Sequence, residues 1–152
     1  MRLIGGAAIA FVLTLTCMSV STPAQGQRFQ DGQMIFRYET FGDEQLWTDF
    51  LRMNEALMKV SPATALSVGL KVDVRALPPS VIGLLKAREL DLNDPAVTLT
   101  LLKLNAVVGV MGKVNEAGEL TSVGITCALC HSTVEDSFDK GIGRPLDGWP
   151  NI

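Results

Sequence analysis

Cys127-Ala128-Leu129-Cys130-His131 is the stretch on which the reading of this chain turns. Two cysteines separated by two residues, with a histidine directly after them, form the attachment sequence for haem of the c type. The spacing has a chemical reason. Each thiol adds across one of the two haem vinyl groups, and two intervening residues let one backbone turn reach both. The next residue then lies under the ring, where the imidazole of His131 can bind iron from the proximal side. Axial ligation of this kind is one of the protein's main levers on the potential of the iron. His131 is the only histidine in the sequence, and Cys127 and Cys130 are the only cysteines outside the apolar N-terminal segment. The expected cofactor is one covalent haem c, held by Cys127 and Cys130, with His131 as the metal ligand.

Three other readings compete for the same residues. A zinc site takes four Cys, His or carboxylate ligands, commonly as two spaced pairs, and no second pair accompanies Cys127, Cys130 and His131. A redox dithiol of the thioredoxin kind belongs to a βαβ unit. A strand can precede Cys127, but the βαβ alternation is absent. A surface disulfide between Cys127 and Cys130 is the third.

The N-terminus has the pattern of an export signal. Met1-Arg2 is a minimal positive start, residues 3–15 are apolar apart from small residues and Thr14, and Pro23-Ala24-Gln25-Gly26 closes a small, polar region. Ala24 and Gly26 occupy the small-residue positions of a cleavage site, which places the cut between Gly26 and Gln27. Two alternatives are an uncleaved membrane anchor over residues 3–20, nearly long enough to span, and lipidation at Cys17. The expected location is the periplasm, with no stable membrane insertion unless the N-terminal segment stays uncleaved. Export and the haem motif support each other, because c-type haem is normally attached after export. What remains after cleavage is the size of one domain. The net charge of the 152-residue chain is −3, with both signs interspersed. No basic patch exists to bind nucleic acid.

Four segments follow from this: 1–26 signal peptide, 27–40 mobile arm, 41–120 helical region with the start of a β-hairpin, and 121–152 haem-attachment segment. Residues 27–34 are polar and without period; 35–40 are ambiguous between strand and loop. Leu46, Trp47, Phe50, Leu51, Leu57 and Met58 follow the 3.6-residue period of one helix. Phe41 and Leu46 form a hydrophobic staple around its N-cap. Ser61-Pro62 caps and opens a short helix that Gly69 closes. Residues 70–74 alternate briefly, but Pro78-Pro79 argues for a rigid turn rather than a central strand. A third helix follows over residues 80–89, and Asp94-Pro95 starts a fourth, apolar one over 96–104. Valine-rich residues 106–114, the turn cluster Asn115-Glu116-Ala117-Gly118 and residues 120–126 then read as a hairpin that delivers the chain into Cys127. Gly109, Gly112 and Gly124 mark a bulge or the close approach of another group, a flat haem edge among the candidates. The expected fold class is mainly α with a short β-hairpin and a haem-attachment segment at the C-terminus, an incomplete domain being one form of it.

Beyond His131 the chain enters Gly143-Arg144-Pro145-Leu146-Asp147-Gly148. Here it resembles the class I c-type cytochromes, in which a Gly-Pro-x-Leu-x-Gly type loop follows the histidine; this version has one residue inserted before the proline and one removed after it. The resemblance covers residues 126–149. It implies that the Pro145 carbonyl accepts a hydrogen bond from the free ring nitrogen of His131, which would fix the tautomer and strengthen the imidazole as a donor. It also implies a methionine as second axial ligand beyond the loop, yet no methionine follows His131. One explanation is that the chain is the N-terminal part of a longer mono-haem cytochrome. The other takes it as complete, with five-coordinate iron as in class II cytochromes, although a Val/Gly-rich hairpin rather than a long amphipathic helix precedes the motif. Met111, Met53 and Met58 are the upstream methionines that could serve instead, though methionine on a helical apolar face is usually core packing.

The leading expectation is an electron carrier rather than an enzyme: a periplasmic cytochrome whose iron exchanges single electrons with a redox partner protein. The alternatives are a peroxidase-like or gas-binding haem protein, with Arg37, Arg75 or Glu89 as the available distal polar residues, and a fragment without activity of its own.

Overall fold

A computed structural model describes residues 25–151. The apolar N-terminal segment and Cys17 lie outside the described residues. Among those described, no helix is long and apolar enough to cross a membrane.

The described residues open with helix α1 (Gln25–Tyr38). This corrects the expectation of an arm without regular structure over 27–40: the stretch lacks an apolar period, but tertiary contacts hold it as a helix. Arg37 at its last turn reaches Asp147, at the far end of the chain, with Nε 2.8 Å from Oδ2.

The single helix expected from the apolar stripe after Phe41 is also corrected. A π-helical turn, Gln45–Phe50, and helix α2, Met53–Leu57, are separated at Arg52, which takes left-handed backbone angles with φ 54°. Phe41 and Leu46 are both exposed, so the expected staple does not form. The polar side chains of this segment explain the break. Thr48 Oγ1 accepts from the Val123 N–H at 2.9 Å and donates to the Val123 carbonyl at 3.1 Å. Asp43 Oδ1 accepts from the Ile125 N–H at 3.1 Å, and its Oδ2 accepts from the Trp47 indole at 2.7 Å. The segment therefore docks through its polar residues against a strand edge; Leu46, Phe50 and Leu51 of the 3.6-residue stripe are exposed, and only its Leu57 and Met58 end reaches the core.

Capping holds at two later helix starts that the sequence predicts. Ser61 accepts from the Thr64 N–H with Pro62 at the first position of α3 (Pro62–Ser67), and Asp94 accepts from the Ala96 N–H ahead of Pro95 and α5 (Pro95–Lys103). Between them lie α4 (Pro79–Ala87) and the strand β1 (Val72–Asp73). The turn expected in place of β1 is a correction. Val72 and Asp73 are buried and pair in parallel with β5 (Ile142–Gly143), while Val72 also bridges to Val107. A 3-10 turn, Val74–Ala76, separates this strand from the prolines and leaves the ladder intact.

The hairpin is as expected: β2 (Val110–Val114) and β3 (Leu120–Ile125) pair antiparallel, with a register shift between Lys113 and Val114. Asn115 closes its turn, accepting from the Gly118 and Glu119 N–H groups. Past the motif, β4 (Ser132–Val134) pairs antiparallel with β6 (Pro145–Asp147). The described residues thus hold three two-stranded sheets among the helices, a mixed α/β arrangement. The expectation of a mainly helical chain with one hairpin is corrected accordingly. The reason is length: β1, β4, β5 and β6 have two or three residues each, too few for a period-2 pattern to register.

The core gathers Leu101 and Leu102 of α5, Val110, Leu120 and Val123 of the hairpin, Val72 and Ile142 of the parallel pair, with Leu57, Val74 and Leu77 around them. Leu129 of the cysteine motif packs partly against this cluster. That contact ties the candidate site to the most buried part of the molecule.

Candidate functional site

Cys127, Ala128, Leu129, Cys130 and His131 form one helical turn: Cys127 is the N-cap of α6 (Ala128–His131), and the His131 N–H donates to the Cys127 carbonyl at 3.2 Å. Residues three and four apart share a helix face, so Cys127, Cys130 and His131 lie on one side. All three are exposed. The two residues between the cysteines turn the other way. Ala128 is buried and Leu129 reaches the core. Both thiols are free.

The turn is held rigidly from behind. Its entry is set by Thr126, which is buried and whose Oγ1 donates to the Arg37 carbonyl at 3.0 Å. The Thr126 N–H donates to the Gly109 carbonyl at 3.0 Å. Its exit is set by the last residues of the chain. The Gly148 N–H donates to the His131 carbonyl at 2.8 Å, and the Asn151 N–H to the Cys130 carbonyl at 3.1 Å. Asn151 Nδ2 donates to the carbonyls of Leu129 and Gly69, at 3.0 and 3.1 Å.

The glycines of the hairpin have protein neighbours. At Gly109 the approaching group is the Leu129 backbone of the motif itself; at Gly112 it is Leu102 and Leu120, and at Gly124 it is Thr40 and Asp43. The bulge lies elsewhere, at Lys113 and Val114.

Pro145 sits at the start of β6, opposite Val134. It joins Arg37, Asp73, Ala128 and Asp147 around a small gap beneath the motif turn. The hydrogen bond that links the loop to His131 runs between backbone atoms, from Gly148, and among the described residues none joins the imidazole to the Pro145 carbonyl.

Beside the motif lies a charged cluster for which the sequence carries no signal, because its members are up to 114 residues apart. Asp147 accepts from Arg37, from Gln33 Nε2 at 2.9 Å and, through its other oxygen, from the fully buried Ser132 hydroxyl at 2.9 Å. Burial works against the charge of Asp147, but the hydrogen bonds from Arg37, Gln33 and Ser132 together outweigh it and hold the carboxyl below the usual aspartate range. Arg75 is paired with Asp73, whose hydrogen bonds raise the guanidinium pKa further. Farther along, Arg144 pulls the Glu135 carboxyl down to about 2.

The other sequence candidates fall as follows. Met58 packs against the core, and Met111 lines an open cleft of about 470 Å³ with Tyr38, Lys103 and Lys113. Glu89 lines a second cleft, of about 540 Å³, with Arg88, Asp91 and Phe138. Neither cleft has Cys127, Cys130 or His131 in its walls. No three His, Cys, Asp or Glu side chains among the described residues form a group that could hold a metal ion. A haem iron makes no such demand, since the porphyrin supplies its four equatorial nitrogens and the chain needs to supply only His131. Two accessible thiols and an imidazole on one face of one turn fit that group.

Comparison with known proteins finds no match: no family model, no curated protein and no solved structure aligns with the chain.

Proposed function

We propose that this chain carries one covalent haem c as a periplasmic electron carrier of the c-type cytochrome kind, exchanging single electrons with a redox partner protein. The observation that supports the reading is the outward presentation of Cys127, Cys130 and His131 from a turn whose intervening residues, Ala128 and Leu129, are packed inward. Cys127 and Cys130 would hold the haem through two thioether links, each thiol adding across one vinyl group with its proton passing to the neighbouring vinyl carbon, and His131 would ligate the iron. When bound, the haem supplies an iron centre that accepts and releases one electron. The chain's own part is to hold and orient. Thr126, Gly148 and Asn151 fix the turn, and the turn puts His131 on the same face as the two thiols.

A second reading, five-coordinate iron open to small gases or peroxide, is favoured by one observation: Met111 lines a cleft that shares no wall with the motif. The test is expression with the N-terminal segment in a host that matures c-type cytochromes. Intact mass increased by one haem, and a reduced spectrum with sharp α and β bands, support the electron carrier. A high-spin spectrum that shifts with carbon monoxide supports the second reading. A colourless protein of unmodified mass overturns both.

A further inference from the structure

Trp149 is held in an unusual position for a large aromatic side chain. It is 62% exposed. Yet its backbone is not free to swing, because Gly148 before it is bonded to the His131 carbonyl and Asn151 after it to the Cys130 carbonyl, at 2.8 and 3.1 Å. The loop that bears Trp149 is therefore pinned at both ends to the two last residues of the cysteine motif. An indole is a large apolar surface, and its burial contributes strongly wherever it finds a partner. Here it is kept out of the core, on a loop whose backbone is bonded to the carbonyls of Cys130 and His131.

Other apolar side chains stand out around the same turn. Leu146 is exposed in β6, two residues ahead of Gly148, and Val68 is exposed next to Gly69, whose carbonyl accepts from Asn151. A porphyrin tethered to Cys127 and Cys130 is wider than one helical turn, so it must extend over whatever surface borders that turn. On the side of Cys130 and His131 that surface is the Trp149 loop.

We propose that Trp149 is a haem-contact residue: its indole lies against the porphyrin tethered at Cys127 and Cys130 and shields the His131 side of the ring from water. This rests on the haem reading above. The role is one of positioning and of solvent exclusion, and solvent exposure is among the factors that set the potential of such an iron.

The experiment uses the full haem-loaded protein labelled with nitrogen-15. The chain has two tryptophans, Trp47 and Trp149, so two indole N–H resonances are expected, assigned by loss of one in Trp149→Phe. Trp47 is the internal reference, since its indole donates to Asp43 on the hairpin side. The Trp149 resonance is expected to move between the reduced and oxidised states, through the ring current and the paramagnetic iron, by much more than that of Trp47. Trp149→Ala is expected to keep the haem mass while lowering the midpoint potential, and Trp149→Phe to restore most of that drop. Haem-loaded protein in which the Trp149 resonance is insensitive to redox state, or in which Trp149→Ala leaves the potential unchanged, overturns the proposal and leaves the haem assignment standing. Protein without haem mass overturns both.

Discussion

A Cβ placed on Gly109 would lie 2.1 Å from the backbone nitrogen of Leu129. The entry to the hairpin and the middle of the cysteine motif are thus in backbone contact, at a separation that only hydrogen can occupy. Gly109 also has φ +77°, a region where other residues are strained.

Gly109→Ala therefore combines left-handed strain with a clash against backbone that cannot rotate away. The expected loss is roughly 3–5 kcal/mol, read as a fall in the denaturant midpoint. Because the displaced element is the motif turn, haem loading should fall more than helical content does. Circular dichroism and haem absorbance on the same samples check this. Equal losses in both would show that the contact serves the fold as a whole and not the turn.

Thr48 occupies the outer edge of β3 by bonding both the N–H and the carbonyl of Val123, a residue that is 1% exposed. Thr48→Val keeps the shape and removes both bonds, leaving two buried backbone groups without partners. The expected cost is about 1–3 kcal/mol, with earlier hydrogen exchange at the Val123 amide than elsewhere in the hairpin. Thr48→Ser should restore most of the stability.

Asp147 gives the pH dependence a sign. Its carboxyl is held below the value of an unfolded aspartate, about 3.9. Its contribution is complete above that value and is lost as pH falls through the lower, folded pKa. Asp147→Asn leaves the Arg37 guanidinium, whose side chain is 12% exposed, without its counter-charge. The variant should lose roughly 1–3 kcal/mol at neutral pH and show a shallower dependence on acid than the parent. Urea titrations between pH 7 and 3 measure both. Parallel curves for the two proteins would remove Asp147 from the account.

Cys127 and Cys130 are exposed and free, so replacing both by serine should leave the haem-free chain within about 0.5 kcal/mol of the parent. In a host that matures c-type cytochromes, the same double variant should lose the covalent haem mass entirely. Mass spectrometry and thermal melts separate the two effects.

Much of this architecture was legible in the order of residues, and the boundary is instructive. Ser61-Pro62 and Asp94-Pro95 announce helix starts because a cap and its proline are neighbours in sequence. The hairpin was legible because valine and glycine patterning and the Asn115 turn lie within a short span. The motif needed only five consecutive residues. What stayed hidden depends on distant partners. Val72 becomes a strand residue because Ile142 and Val107 flank it, and α1 is helical where Arg37 and Gln33 meet Asp147. The stripe misled from Leu46 to Leu51, though not at Leu57 and Met58, because apolar period says nothing about polar docking. Thr48 and Asp43 decide how that segment sits, and each looks like an ordinary surface residue until β3 is beside it.

The bonds from Thr48 and Asp43 to Val123 and Ile125 carry one more consequence. An open strand margin is a template on which a second chain can grow, the first step of cross-chain ribbon formation. Side chains from a turn and the π-helical turn after it have filled that template from within the same molecule. A neighbour seeking to extend the hairpin must approach β2 instead, where Lys113 projects into solvent.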